Sequence, residues 1–169
     1  DSSVTADFAR GNANAGSGKT IGSGLVGKAL NAFGESDIDT QGAPYSATNN
    51  IALARGTFTI WAKPKGGFNV SDDWNYILSV ATTSGVERLN VYAAPDGTHA
   101  RMIDFSGAAH EAVSTNKWWT SGDWTQVGVT WDASGIIRVY VNGVKTAELA
   151  GAAFVMSAGA KAMWVGREV

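Results

Sequence analysis

The sequence predicts an all-β domain in which two antiparallel sheets pack face to face, as a sandwich or jelly roll. Many short runs with strand character follow one another, and turn signals separate them about every 8–12 residues. The composition agrees: 21 Gly, 3 Pro, 7 Trp and 17% charged residues describe a turn-rich, aromatic-rich β protein, not a helical or disordered one. The third observation is a hairpin that the residues spell out almost completely.

That hairpin occupies residues 122–143, which read GDWTQVGVTWDASGIIRVYVNG. Apolar side chains alternate with polar or small ones on both arms, which is the period-2 pattern of half-buried strands. Asp-Ala-Ser-Gly at 132–135 turns the chain between the arms. Asn142 and Gly143 then begin a second turn, because both residue types tolerate positive φ.

The remaining strands are predicted from similar, shorter patterns. They fall at residues 1–8, 26–33, 36–39, 57–63, 75–81, 88–93, 100–105, 125–131, 136–141, 145–149 and 162–165. Turn signals lie between them at 65–67, 82–85, 95–97 and 106–107. We find no linker and no internal repeat, so residues 1–169 are predicted to form one domain, long enough to bury about two thirds of its unfolded surface.

The hairpin resembles a known family. The pattern W-x-x-V-x-V-T-W-D, a short turn and then R-V-Y-V-N-G is similar to the core hairpin of laminin G-like domains, within the concanavalin A-like lectin and glucanase superfamily. Segments 24–30, 56–64 and 163–167 fit the same family pattern in the same order. The resemblance implies a jelly roll that often binds glycans, sometimes with calcium, and is catalytic only in certain branches.

Charge and composition limit the classes of binding partner and the cellular locations that we expect for this chain. The net charge of −2 gives no long-range attraction for nucleic acid or an anionic membrane. No apolar run approaches the roughly 20 residues that a membrane-spanning helix needs. The absence of Cys excludes disulfides and thiolate metal sites. It is compatible with an extracellular, cell-surface or virion-surface location, which we expect, and also with the cytosol.

The ends of the chain suggest a segment of a larger protein. Asp1 is not an initiator Met. The resemblance implies a further closing strand after residues 163–167, whereas the sequence stops at Val169. We therefore expect either a longer protein or a neighbouring subunit that covers the open sheet edge.

Tryptophan supplies the candidate ligand site. Sugars bind through stacking of their C–H faces on flat rings, with polar side chains holding the hydroxyls. Four of the seven tryptophans lie in strand patterns and are predicted to be core or near-core: Trp61, Trp124, Trp131 and Trp164. The other three lie beside polar residues and are candidates for sugar contact: Trp74, Trp118 and Trp119.

Trp118 and Trp119 are adjacent, and neighbouring side chains on an extended segment point in opposite directions. One of them is therefore expected to be exposed or to cap an edge. A sugar platform built on these indoles and Trp74 would be completed by three strand residues, Tyr76, Tyr92 and Arg101. The alternative is that the indoles close the ends of the sandwich or pack against a partner protein.

Calcium is the cofactor that the resemblance suggests. Asp7 and Asn12, with the carbonyl groups of the glycine-rich loop that follows, are similar to the N-terminal Asp and Gly-Asn stretch of many relatives. Oxygen-rich loops suit this hard cation. Asp7 and Asn12 are therefore the candidate metal ligands.

An alternating carboxylate array is the candidate for catalysis. Glu35, Asp37 and Asp39 would point to one face of a strand, as do the acid, helper and nucleophile of glycosidases in the lectin-like superfamily. The array departs from that pattern in its last residue and in its early position, and the alternative is a solvated edge or loop without a catalytic role. His99 and His110 have no context for catalysis and are interpreted as scattered surface residues.

Three functions follow, in order of preference. The first is a noncatalytic glycan-binding or adhesion module whose partner is a glycan or a host cell-surface polysaccharide. The second is a structural domain of a phage capsid or tail protein that contacts other subunits. The third is a glycoside hydrolase or lyase. The sequence does not name the sugar or the oligomeric state.

Overall fold

The computed structural model describes residues 20–23, 25, 28–31, 43–47, 51–64, 70, 74–151 and 153–166. These residues form twelve strands and one short 3-10 helix, η1. The strands are β1 Thr20–Ser23, β2 Lys28–Asn31, β3 Ala43–Ser46, β4 Arg55–Ala62, β5 Asn75–Thr82, β6 Arg88–Ala94, β7 Gly97–Ile103, β8 Ala109–Ser114, β9 Thr125–Asp132, β10 Ile136–Val141, β11 Val144–Ala150 and β12 Ala160–Val165; η1 is Trp118–Thr120.

The strands pair into antiparallel sheets. A four-stranded sheet has the order β11-β10-β9-β4, a six-stranded sheet has the order β3-β12-β5-β6-β7-β8, and β1 pairs with β2. The predicted all-β jelly-roll architecture of two packed antiparallel sheets is confirmed. In the six-stranded sheet β12 has a neighbour on each side, β3 and β5.

The predicted hairpin is β9 and β10. Its register pairs Trp131 with Ile137 and Val129 with Val139. In the turn, the Ser134 amide donates to Asp132 Oδ1 over 2.8 Å. Asn142 adopts φ 50° and Gly143 φ 78°, so the second turn uses the left-handed backbone that these residue types tolerate.

Most other predicted strands match an observed strand to within a few residues. Three strands lack a prediction: β1, β3 and β8. The β1 sequence TIGS has too little apolar alternation to indicate a strand, and β3 and β8 lie at the two edges of the six-stranded sheet among the described strands. The β8 sequence AHEAVS is short and weakly apolar, so its alternation gives little signal. The predicted runs at 1–8 and 36–39 lie outside the described residues.

The main core lies between the two sheets. The four-stranded sheet contributes Val129, Trp131, Ile137 and Val139, and the six-stranded sheet contributes apolar side chains from β5, β6, β7, β8 and β12. The Trp131 indole Nε1 donates to the Ala52 carbonyl over 3.1 Å, which satisfies the polar atom of this buried ring. Burial of one face of every central strand therefore explains the alternation seen in the sequence.

A smaller apolar cluster contains both Trp118 and Trp119. They are 9% and 7% exposed and pack with Val70, Ala93, Val127 and Val141. Neither indole is exposed, so that part of the prediction is wrong. The assumed extended segment is the 3-10 helix η1, which lets both rings turn inward. Their rings meet edge to face at 5.8 Å.

Trp61 is more exposed than the sequence predicts. It lies on β4 and is 48% exposed, whereas the strand pattern placed it in or near the core. Its neighbours Ile60 and Ala62 are the residues of β4 that pack on the smaller cluster. Because side chains alternate along a strand, Trp61 points to the outer face of the sheet. The predicted strand is correct, but the predicted burial of Trp61 is wrong.

The core tolerates little added volume at Gly56. A Cβ at Gly56 would lie 2.4 Å from the Trp131 ring, whereas a Cβ at Gly128, on the neighbouring strand, would make ordinary contacts at 3.5 Å. We expect Gly56→Ala to lower the free energy of unfolding by about 1–3 kcal/mol. We expect Gly128→Ala to change it by less than about 1 kcal/mol. Urea unfolding of both variants tests this difference, and equal effects would contradict it.

Candidate ligand-binding surface

The outer face of the six-stranded sheet carries a cluster of aromatic rings centred on Tyr92. Trp74 stacks on Tyr92 with ring centroids 5.0 Å apart and an angle of 18°. His99 stacks on Tyr92 at 4.6 Å and 10°. Tyr76 lies 5.5 Å from Tyr92 and meets Trp74 edge to face at 6.4 Å. We call these four rings the aromatic cluster.

Sheet register brings the cluster together. Tyr76 pairs with Tyr92, and Tyr92 pairs with His99, across β5, β6 and β7. A register shift between Tyr76 and Leu78 places Tyr76 on the outer face while Leu78 enters the core. Strict alternation would send both residues to one face, so the bulge is what adds Tyr76 to the cluster.

Two carboxylates bond the polar atoms of the cluster. The Tyr92 hydroxyl donates to Glu111 Oε1 over 2.5 Å. His99 Nδ1 lies 2.9 Å from the same oxygen, and His99 Nε2 lies 2.8 Å from Asp96 Oδ1. These bonds fix the planes of the Tyr92 and His99 rings on which the other aromatics pack.

Tyr92 remains a hydrogen-bond donor at neutral pH. Burial raises the pKa of its hydroxyl well above the ordinary value, and the adjacent Glu111 carboxylate raises it further. The ring is 2% exposed. Tyr92 is therefore the buried ring that supports the cluster, and its protonated hydroxyl donates to Glu111.

A polar row runs beside the cluster across the same face. Register aligns Ser79, Asn90, Arg101 and Glu111 on β5, β6, β7 and β8. The Ser79 hydroxyl donates to Asn90 Oδ1 over 2.8 Å. The Arg101 guanidinium carbon lies 5.7 Å from the Trp74 ring centroid, within the range of a cation–π contact.

Exposure differs sharply within this surface. Trp74 is 51% exposed, although its ring rests on the buried Tyr92. At the rim, the Asp96 side chain is 69% exposed and the Glu111 side chain 28%. The surface therefore presents one fixed, half-exposed indole bordered by charged groups.

The structure brings together four of the predicted ligand-binding residues: Trp74, Tyr76, Tyr92 and Arg101. Trp118 and Trp119 are buried elsewhere, in the smaller cluster. The candidate calcium ligands Asp7 and Asn12 lie outside the described residues, as do Glu35, Asp37 and Asp39. Within the described part of the chain, no group of three or more His, Asp or Glu side chains is placed to hold a metal ion.

Sequence reasoning missed His99, Glu111 and Asp96. His99 is buried, not a scattered surface residue, because it stacks under Tyr92. The Pro-Asp-Gly turn at 95–97 contained the signal, since a tight hairpin there sets Tyr92 opposite His99. Glu111 could not be placed without a prediction for β8.

His110 belongs to a separate, structural arrangement. Its Nε2 lies 2.9 Å from Asp104 Oδ2, and its ring stacks on Phe154 at 4.6 Å. Hydrogen bonds from Ser106 and His110 hold the pKa of Asp104 well below its usual range. Asp104 also accepts from the Ser106 and Ala108 amides, so this group fixes the β7–β8 turn.

A match to a protein-family model shows which superfamily the chain belongs to. A laminin G family model, described as the concanavalin A-like lectin/glucanases superfamily, matches residues 39–169. The chain belongs to this superfamily. No curated protein matches this laminin G-like chain significantly in sequence. In the described residues, no helix is long and apolar enough to cross a membrane.

Solved structures share the fold at low identity. Domains LG4-5 of the mouse laminin alpha1 chain match with a TM-score of 0.57 and 14% identity, covering 73% of this chain and 31% of that one. The binding domain of botulinum neurotoxin serotype G matches at 0.65 and 13%, covering 94% and 44%. An endo-β-1,4-glucuronan lyase from the fungus Trichoderma reesei matches at 0.61 and 11%, covering 91% and 77%.

The laminin G-like chain therefore spans less than half the length of the laminin and neurotoxin structures it matches. A serotype D neurotoxin ligand-binding domain, solved in complex with N-acetylneuraminic acid, also matches, with a TM-score of 0.57 and 12% identity over 75% of this chain and 32% of that one. At these identities the likeness establishes the fold alone.

The contact between His99 and Asp96 makes the stability of the fold depend on pH. The hydrogen bond from His99 lowers the pKa of Asp96 below its ordinary value of 3.8. The contact therefore stabilises the fold above about pH 4, and this contribution is lost as pH falls through the lowered folded pKa. In His99→Gln we expect the pKa of Asp96, measured by NMR titration of its carboxyl carbon, to rise toward 3.8.

Asp132 is the matched control for this titration. Its pKa is lowered by hydrogen bonds from the Ser134 amide and hydroxyl, on the other sheet, so His99→Gln should leave it unchanged. An Asp96 titration that is the same in both proteins would show that His99 does not hold this carboxylate.

Proposed function

We propose that residues 1–169 form a noncatalytic carbohydrate-binding module of a secreted, cell-surface or virion protein, with its ligand packed against Trp74. The observation that supports this most directly is the stacking of the half-exposed Trp74 on the buried Tyr92. A sugar ring is apolar on its C–H face and polar at its edge. A flat indole surrounded by hydrogen-bonding groups suits both parts.

The aromatic cluster reduces the cost of binding. An exposed indole normally loses rotational freedom when a ligand packs on it, at about 0.5–1.5 kcal/mol for an immobilised side chain. Trp74 is already held by Tyr92, Tyr76 and the Arg101 guanidinium. Less ordering is therefore left for the ligand to impose, which favours binding at this position.

The rim supplies groups for the sugar hydroxyls. Asp96 and Glu111 are partly or largely exposed, and Arg101 lies beside the indole. Charged groups that accept or donate hydrogen bonds make stronger contacts than neutral ones. The combination of one ring and several charged partners is typical of a saccharide site, in keeping with a superfamily described as lectins and glucanases.

The same contacts favour binding over catalysis. A general base needs a free atom within reach of the proton that it removes. Both ring nitrogens of His99 and the hydroxyl of Tyr92 are bonded to carboxylates, and both rings are buried. Their bonds suit a scaffold that holds Trp74, which is why we propose a noncatalytic module although one structural neighbour is a lyase.

Replacement of Trp74 should abolish glycan recognition. We expect Trp74→Ala to weaken binding to any glycan identified on an array by at least tenfold, or about 1.4 kcal/mol. The physical reason is loss of the stacking surface while Tyr92 stays in place. Binding constants for both proteins by isothermal titration calorimetry measure the effect.

Trp61→Ala is the matched control, because Trp61 is almost equally exposed but lies on the four-stranded sheet. It should bind glycan like the wild type. Equal losses in both variants, or an array without any binding, would contradict the proposal.

A noncatalytic module should leave its ligand intact. We expect the bound polysaccharide to keep its chain length after prolonged incubation with the protein, as measured by size-exclusion chromatography with light scattering. Shortening of the polymer that persists in a second, independently purified preparation would overturn the noncatalytic part of the proposal.

An assembly domain is the second candidate, favoured by the exposed Trp61. Among the described strands, β4 pairs with β9 on one side and ends the four-stranded sheet on the other. An exposed indole at a sheet edge suits contact with another protein subunit. Sedimentation over a range of concentrations separates the candidates: self-association that Trp61→Ala removes and Trp74→Ala preserves would favour assembly.

A further inference from the structure

Arg101 has an incomplete set of partners. Its side chain is partly buried on the outer face of β7, beside the Trp74 ring and the Tyr92 hydroxyl. Its Nε atom is buried without a hydrogen-bond partner. In the part of the chain that the structure describes, Arg101 forms no ion pair. Buried polar groups are normally satisfied, so a donor of this kind calls for an explanation.

The carboxylates of the site are directed to other donors. Glu111 pairs with Arg101 in the sheet register, yet its Oε1 accepts from the Tyr92 hydroxyl and lies 2.9 Å from His99 Nδ1. Asp96 Oδ1 lies 2.8 Å from the other nitrogen of the same imidazole. The hydrogen bonds thus hold Glu111 and Asp96 at His99, and the guanidinium lies beside the indole.

A guanidinium in this setting suits a carboxylate of the ligand. Its planar fork of N–H donors matches the two oxygens of a carboxylate, and the contact strengthens where water is excluded. The Arg101 guanidinium carbon is 5.7 Å from the Trp74 centroid, so the guanidinium directly borders the indole. A sugar stacked on the indole could therefore place its own carboxylate on Arg101.

We propose that the saccharide bound at Trp74 is acidic, a uronate or sialate, and that Arg101 binds its carboxylate. This inference rests on the proposed function, because it names the class of sugar that the same surface takes. The ring of the sugar packs on Trp74, while the carboxylate supplies the acceptor that Arg101 Nε lacks.

Matched pairs of ligands test the inference on the wild-type chain. Oligoglucuronates are compared with cello-oligosaccharides of equal length, and sialyllactose with lactose, by isothermal titration calorimetry. We expect at least one acidic member to bind at least tenfold more tightly than its neutral counterpart. We also expect its affinity to fall as salt is raised, because the added contact is ionic.

Variants then assign the preference to Arg101. Arg101→Gln should bind the acidic and neutral members alike, without the tenfold preference. Arg101→Lys, which keeps the charge but loses the fork, should retain part of the preference. Trp74→Ala should lose both ligands. Thermal melts verify that each variant is folded, and the wild-type ligand comparison stands even where a variant fails to fold.

The possible results distinguish a failure of the acidic-sugar specificity from a failure of the proposed carbohydrate binding. Equal wild-type affinity for acidic and neutral members would overturn the acidic specificity and leave carbohydrate binding intact. An acidic preference that survives in a folded Arg101→Gln would overturn the role of Arg101. Binding of no saccharide by the wild type would overturn both the function and the inference.

Discussion

Burial of one face of each sheet against the other is the constraint on which the rest of this structure depends. Trp131, Val129, Val139 and Ile137 fill the four-stranded side of the interface, and apolar residues of five strands fill the other. Because side chains alternate along a strand, every residue sent inward sends its neighbours outward. The core thereby determines which residues remain available for a ligand.

Several side chains on the outer face of the six-stranded sheet carry polar groups and are nevertheless buried. Ser79, Asn90, Tyr92 and His99 are nearly inaccessible although they face away from the main core. Their hydrogen bonds to one another and to Glu111 and Asp96 compensate for the loss of water. Such a network resists rearrangement, so it can hold the more exposed Trp74 in one orientation.

Tryptophan serves different purposes at different places in this fold. Trp131 fills the core and uses its indole N–H on a backbone carbonyl. Trp118 and Trp119 pack into the smaller cluster, while Trp61 and Trp74 expose about half of their rings on opposite sheets. The residue type is identical in each case, and the packing around it decides whether it stabilises the domain or faces a partner.

The sequence by itself determined the all-β class, the central hairpin and its turns, and the positions of most strands, because periodicity and turn chemistry are local properties. It also singled out Trp74, Tyr76, Tyr92 and Arg101. Only the tertiary structure decided that these four residues meet, because a bulge in β5 and the pairing of β5, β6 and β7 align them. It likewise decided that η1 turns both Trp118 and Trp119 inward, since burial depends on contacts that are distant in sequence.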